Sequence, residues 1–188
     1  MSGILKHPSI LQIGSVALVV IDMQAPFIQS VFDSPMTKKK VIDLVNGCNL
    51  LKVPIIGTTQ YASRMGDIIP EIRHLLPASP AHDKMAFDCC ASEPFLAAIK
   101  GSGASQILLC GVESHICVCQ TALGLLARGY SVHVAADAVS SRSELDCKIG
   151  LEKMMAAGVI SASVEMALYE LLQLAGSPVF KEVLAIIK

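Results

Sequence analysis

No apolar run in this chain reaches the roughly 20 residues that a helix needs to cross a bilayer, and the opening MSGILKHPSI lacks the basic start and apolar core of a secretory signal. Charge is scarce as well. Asp, Glu, Lys and Arg make up 16% of the residues and leave a formal net charge of -1, so the chain has no electrostatic footprint for nucleic acid. The one basic run, Lys38-Lys39-Lys40, falls at the start of a predicted helix and reads as a solvated face. The paired C-x-x-C spacing of a structural zinc site is missing. Cys117-x-Cys119 and the adjacent Cys89-Cys90 do not supply it, and no metal or cofactor is implied. Seven cysteines, an odd number without framework spacing, argue for reduced thiols. These absences describe a soluble intracellular protein, cytoplasmic with a mitochondrial location left open, that has neither a membrane nor a nucleic acid as partner.

Apolar residues are abundant, at 53% of 188, enough for one domain over residues 1–188 with a substantial core. Val16 to Ile21 is a short β-branched run closed by Asp22 and reads as a strand buried on both faces. Ile55 to Thr59, Gln106 to Cys110, Ser131 to Ala136 and Val159 to Ala162 are further strands. Helical spacing covers Thr37 to Val53, Glu93 to Lys100, a stretch from Ser143 to about Ala157, Val164 to Leu174 and Phe180 to Ile187. Between Ala62 and Asp88 the periodicity fails and Pro70, Pro77 and Pro80 interrupt it, so an irregular connection is expected there, with one or two helical turns in Ile68 to Leu76. Strand and helix otherwise alternate without a composition break. That order predicts a three-layer, doubly wound α/β fold with a mainly parallel, Rossmann-like sheet.

The stretch Ile107 to Gln120, ILLCGVESHICVCQ, concentrates the chemistry. A strand feeds a glycine turn and then a helix from Glu113 to Ala127, with Ser114 as candidate N-cap and Cys117 in the first turn. Unpaired N–H groups and the helix dipole there are expected to lower the thiol pKa and favour the thiolate. In open α/β sheets ligands bind beyond the carboxyl ends of the strands. Asp22, Gln60, Tyr61 and the Gly111-to-Cys117 segment all project from such ends, and Lys84 lies in the connection that can fold over them. Their types suit acyl transfer: Cys117 as nucleophile, Asp22 as proton acceptor and later donor, Lys84 as the cation that stabilises both, and backbone N–H groups of Glu113 and Cys117 as an oxyanion hole.

Asp22-Met23-Gln24 after an apolar strand, Lys84 in Lys-x-x-Phe-Asp, and Gly111-Val112-Glu113-x-x-x-Cys117-Val118 occur in the order found in the isochorismatase-like cysteine hydrolases. Asp137-Ala138-x-x-Ser141-Arg142 is a fourth match, and the likeness runs on to Phe180-Lys181-Glu182. The chain resembles that family, and in particular its small isochorismatase domain-containing members. The resemblance implies an Asp22-Lys84-Cys117 triad, a six-stranded parallel sheet, a cis peptide between Val112 and Glu113, and assembly into homo-oligomers. Gln24, Phe27, Gln60, Tyr61 and Phe87 are the candidate substrate-binding residues.

Departures from the family refine the expectation. Nicotinamidases carry an Asp-x-His and a further His for a metal after the second strand, where this chain has Gln60-Tyr61-Ala62-Ser63. His74, His82 and His115 do not replace them and read as ordinary surface histidines. Glu113 stands where amidases of the family commonly have a small residue, and it can narrow the pocket or bind a cation. An intact Cys117 favours a hydrolase acting on non-peptide C–N bonds of a small amide, carbamoyl or imide compound through a thioester. The alternatives are a vinyl ether hydrolase that uses Asp22 as acid without the thiol, and a non-catalytic scaffold that keeps the fold. A surplus of apolar residues near the C-terminal end, among them Met166, Leu168, Leu171, Leu172 and Leu174, points to a homo-oligomeric interface.

Overall fold

A computed structural model describes residues 7–188. Residues 1–6, which belong to the N-terminal stretch discussed above, lie outside the described residues. Six strands, β1 (Val16–Ile21), β2 (Ile55–Gln60), β3 (His82–Lys84), β4 (Gln106–Val112), β5 (Ser131–Ser140) and β6 (Ile160–Ala162), form one sheet in the order β3-β2-β1-β4-β5-β6. Every pairing is parallel. The helices are α1 (Ala25–Ile28), α2 (Ser34–Leu50), α3 (Ala62–Met65), α4 (Pro70–Arg73), α5 (Glu93–Gly101), α6 (Cys119–Leu126), α7 (Glu144–Ala156), α8 (Val164–Leu172) and α9 (Phe180–Ile187). The doubly wound α/β architecture expected from the alternating pattern is the one observed.

Two cores result from strand alternation. Side chains of Val16, Leu18 and Val20 on β1, and of Leu108, Cys110 and Val112 on β4, join the layer under α2, α8 and α9. Ala17, Val19 and Ile21, with Ile107 and Leu109, face the other layer, which holds Phe95 and Ile99 of α5, Ala122 and Leu125 of α6, and Met154 of α7. Both faces of the central strands are therefore buried, the reason β1 reads as a continuous apolar run.

Four features differ from the sequence reading. First, the supposedly irregular connection contains β3, three residues paired to β2 with Gln60 opposite Lys84; His-Asp-Lys has neither apolar alternation nor β-branched residues to announce a strand. Second, β5 continues to Ser140 through a register break: Leu109 faces Val134 but Gly111 faces Val139, so two steps on β4 match five on β5. Asp137 sits in this excursion, where one carboxylate oxygen accepts from the Val164 N–H at 2.8 Å and the other lies 3.3 Å from Lys40 Nζ. Third, the basic run is paired rather than merely solvated, since Lys38 meets Glu71 at 3.0 Å and Lys39 meets Asp43 at 2.6 Å. Fourth, Leu168, Leu171 and Leu172 are core residues, whereas Met166 and Leu174 are exposed. Most of the apolar surplus assigned to an interface is thus consumed by packing α8 between the sheet and α2. No helix among the described residues is long and apolar enough to cross a membrane.

One buried polar group stands out. His133, on β5 opposite Ile160, has no exposed surface, and its Nδ1 has no hydrogen-bond partner. Burial pushes its pKa down from 6.5 to about 4. Between those values the unfolded chain binds a proton that the folded chain refuses, so stability rises with pH across the window and is lost as pH falls through it. Urea midpoints measured from pH 7 to pH 4 are expected to show a loss on the order of 3 kcal/mol attributable to this residue, absent in His133→Leu; parallel wild-type and variant curves would contradict the assignment.

Candidate functional site

The strand order reverses between β1 and β4, and the carboxyl ends of these two strands define the switch point at which open α/β sheets bind ligands. Asp22 leaves β1 with a left-handed backbone, φ 49°. Opposite it, Gly111 has φ 108°, and a Cβ there would come within 2.1 Å of the Ile21 carbonyl oxygen. Only glycine allows β4 to run this close to β1. The Val112–Glu113 peptide that follows is cis.

Asp22, Lys84 and Cys117 converge at this point from three separate elements, and all are buried. Lys84 Nζ donates to Asp22 Oδ2 at 2.6 Å and to Gln60 Oε1 at 2.8 Å. Burial pulls the Lys84 pKa down, but the charge of Asp22 and the hydrogen bond to it outweigh that and raise it, so the ammonium is retained. Thr58 Oγ1 donates to the other Asp22 oxygen at 2.8 Å.

The thiol behaves opposite to the expectation from its place at a helix start. Cys117 is only 7% exposed. Burial first, then the Asp22 charge, push its pKa up to about 12, while Lys84 pulls in the other direction. At rest the group is a neutral thiol beside a carboxylate. Cys117 lies in a five-residue π-helical turn, Ser114–Val118, ahead of α6, in which the Glu113 carbonyl accepts from the N–H groups of Ile116 and Val118. Ser114 does not cap this turn. Its hydroxyl is buried against Ser141 Oγ, which also bonds His115 Nδ1 at 2.9 Å. His115 is therefore tied to the end of β5 and is not a free surface histidine.

Asp22 and Cys117 line a cavity of about 50 Å³ together with Phe27, Gln60, Phe87, Val112, Glu113 and Ile116. Phe27, Gln60 and Phe87, candidate substrate-binding residues, are thus on the cavity wall. Gln24 is not: it is fully buried, with Nε2 donating to the carbonyls of Gln60 and Gly66 and Oε1 accepting from the Gln60 N–H, so it clamps the exit of β2. Tyr61 turns away with φ 48° and does not line the cavity. Glu113 does line it, but its carboxylate holds Arg142 Nε at 3.0 Å. Ile116 and Thr58 escaped the sequence reading as site residues, the latter because a buried strand hydroxyl looks like an ordinary β-former, and Ser141 enters it only as part of the Asp137-to-Arg142 match. Among the described residues no three His, Cys, Asp or Glu side chains gather as a metal-ligand set, and Gln60-Tyr61-Ala62-Ser63 offers neither carboxylate nor imidazole for a nicotinamidase-type metal.

Residues 16–166 match the family model described as the isochorismatase domain. The chain is 38% identical over 178 residues to the secreted isochorismatase effector Isc1 of Phytophthora sojae, covering 93% of this chain and 85% of the relative. It is 36% identical over 173 residues to isochorismatase domain-containing protein 2 of Danio rerio, covering 90% and 85%. Among solved structures, the MAR1 ribonuclease of Caenorhabditis elegans superposes with a TM-score of 0.89 at 33% identity, over 94% of this chain and 91% of that one.

The geometry makes Lys84→Met informative in two ways. Removing the ammonium leaves the buried Asp22 charge without its ion-pair partner and is expected to cost about 3 to 5 kcal/mol, read from chemical denaturation. It also removes the charge that holds the Cys117 thiol down, so the iodoacetamide reaction of Cys117 moves to higher pH. An unchanged alkylation profile would mean that Lys84 and Cys117 are not coupled.

Proposed function

Because this chain belongs to the isochorismatase family and has its hydrolase fold, we propose that it is a cysteine hydrolase acting on a small amide, carbamoyl or imide carbon. The observation that carries this reading is the buried Asp22 carboxylate, held by Lys84 at 2.6 Å and facing the same cavity as the Cys117 thiol. A thiol whose pKa is raised to about 12 does not act as a preformed thiolate at neutral pH; it needs a base beside it, and Asp22 is placed to be one.

In the proposed sequence Cys117 Sγ attacks the carbonyl carbon as its proton passes to Asp22. The oxyanion is received by the N–H groups of Glu113 and Cys117. Asp22 then returns the proton to the leaving nitrogen as the C–N bond breaks, leaving a thioester on Cys117. Water attacks the thioester and gives a proton to Asp22, the acid product departs, and Asp22 reprotonates the sulfur. Lys84 stays charged throughout and offsets the carboxylate. Phe27, Phe87 and Ile116 provide an apolar wall, and a cavity of about 50 Å³ favours a compact substrate.

The worm relative named as a ribonuclease raises phosphodiester cleavage as another reading. Such a reaction calls for cations free to meet a phosphate. Here Lys84, the cation beside the Cys117 cavity, is committed to Asp22 and Gln60. Vinyl ether hydrolysis requires Asp22 to donate a proton, whereas it stands ion-paired as an acceptor of two hydrogen bonds.

Cys117→Ala is expected to reduce turnover by at least a factor of about 10³ while leaving the thermal midpoint nearly unchanged. The measurement is a panel of small amides, carbamoyl compounds and imides, with a vinyl ether and a single-stranded RNA as separate arms. Turnover of either of the last two that survives the substitution would sink the cysteine mechanism.

We also propose that the chain assembles with itself. Phe32 and Met36 before and in α2, and Leu145, Ile149 and Met155 on α7, are large apolar side chains left exposed, and a groove of about 530 Å³ separates the two helices. Light scattering at micromolar concentration is expected to give a multiple of 19.9 kDa; a monomer mass would remove this assembly.

A further inference from the structure

We propose that Thr58 is a positioning residue for Asp22, fixing the orientation in which the carboxylate exchanges a proton with Cys117. This rests on the cysteine-hydrolase reading above and adds a residue to it. Thr58 lies on β2, two positions before the strand ends, and is fully buried. Its Oγ1 is 2.8 Å from Asp22 Oδ1, while Lys84 Nζ approaches Oδ2. A carboxylate gripped at one oxygen alone can rotate about its χ2 torsion, a broad and soft degree of freedom. Gripped at both, it has one orientation.

The direction of the Thr58 hydrogen bond follows from its neighbours. The hydroxyl has two partners, the Asp22 carboxylate and the Cys89 thiol 4.0 Å away. The thiol is neutral, since burial raises its pKa to about 11, and it can donate its own proton. The hydroxyl proton therefore goes to the carboxylate, the charge-assisted choice, and Cys89 donates weakly to the hydroxyl oxygen. Lys84 is anchored independently by Gln60, so Thr58 is the element that fixes the carboxylate from the β2 side.

The titratable groups around Asp22 are Lys84 on β3, Cys117 in the π-helical turn and Cys89 at the start of a short 3-10 turn, Cys89–Ala91, with Glu113 on the same cavity. Only Thr58 contributes a neutral donor whose removal changes no charge.

The test uses the full chain and needs no known substrate. Iodoacetamide labelling near neutral pH is followed by peptide mass spectrometry, with free N-acetylcysteine in the same tube as reference. Thr58→Val keeps the shape and deletes the donor; the Cys117 rate is expected to fall roughly tenfold as the carboxylate is no longer held toward the thiol. Thr58→Ser restores the hydroxyl and the wild-type rate, with circular dichroism confirming that both variants fold. A Val rate equal to wild type, or a Ser rate lowered as far as Val, overturns the proposal. Failure of the parent reading looks different: Asp22→Asn would leave the Cys117 rate unaltered, and the role of Thr58 would fall with it.

Discussion

The contact on which the site depends is the buried ion pair between Asp22 and Lys84. Each partner alone would be a charge in a low-dielectric interior, a cost of several kcal/mol, and at 2.6 Å they cancel most of it. Both remain charged only because further polar groups complete the shell: Thr58 on one carboxylate oxygen, Gln60 on the ammonium. Gln60 is in turn held by Gln24, which spans from the end of β1 to the end of β2. The pair and its supports join β1, β2 and β3 side by side in the sheet, so the first half of the chain is organised around supplying two opposite charges to a thiol brought by the second half.

That thiol is delivered by a backbone device of matching tightness. Gly111 lets β4 approach β1 without a side chain between them, and the π-helical turn beyond it points Cys117 into the space that the ion pair faces. The turn is fastened from outside by the Ser114–Ser141 contact and by His115, and Gly150 of α7 packs against the His115 backbone so closely that a Cβ would lie 2.8 Å from its Cα. The Asp137 to Arg142 segment thus acts by cross-bracing: Asp137 anchors the start of α8, Ser141 the π-helical turn, and Arg142 the Glu113 carboxylate.

Much of this was legible in the residues because burial on both faces leaves an unmistakable run, as in Val16 to Ile21, and because Gly, Asp and Cys stood at strand ends where their types have chemical meaning. What escaped notice was local structure stabilised from a distance. Residues 82–84 are a strand only because β2 offers a row of backbone partners, which no propensity of His-Asp-Lys records. Ser114 resembled a cap, yet a buried hydroxyl across the fold claims it. The direction of the Cys117 shift was misjudged for the same reason: a helix end is a feature of local sequence, whereas desolvation and a neighbouring carboxylate come from tertiary packing.

Lys84 is the last residue of a three-residue strand at the edge of the sheet, paired on one side only. Strand edges of this kind open at free energies well below that of global unfolding. The Lys84 ammonium is therefore attached to an edge of the sheet, while the Cys117 thiol hangs from its centre. Warming such a molecule is expected to loosen this edge before the centre of the sheet, and hydrogen exchange at the amides of residues 82–84 then reports the lifetime of the ion pair separately from that of the whole fold.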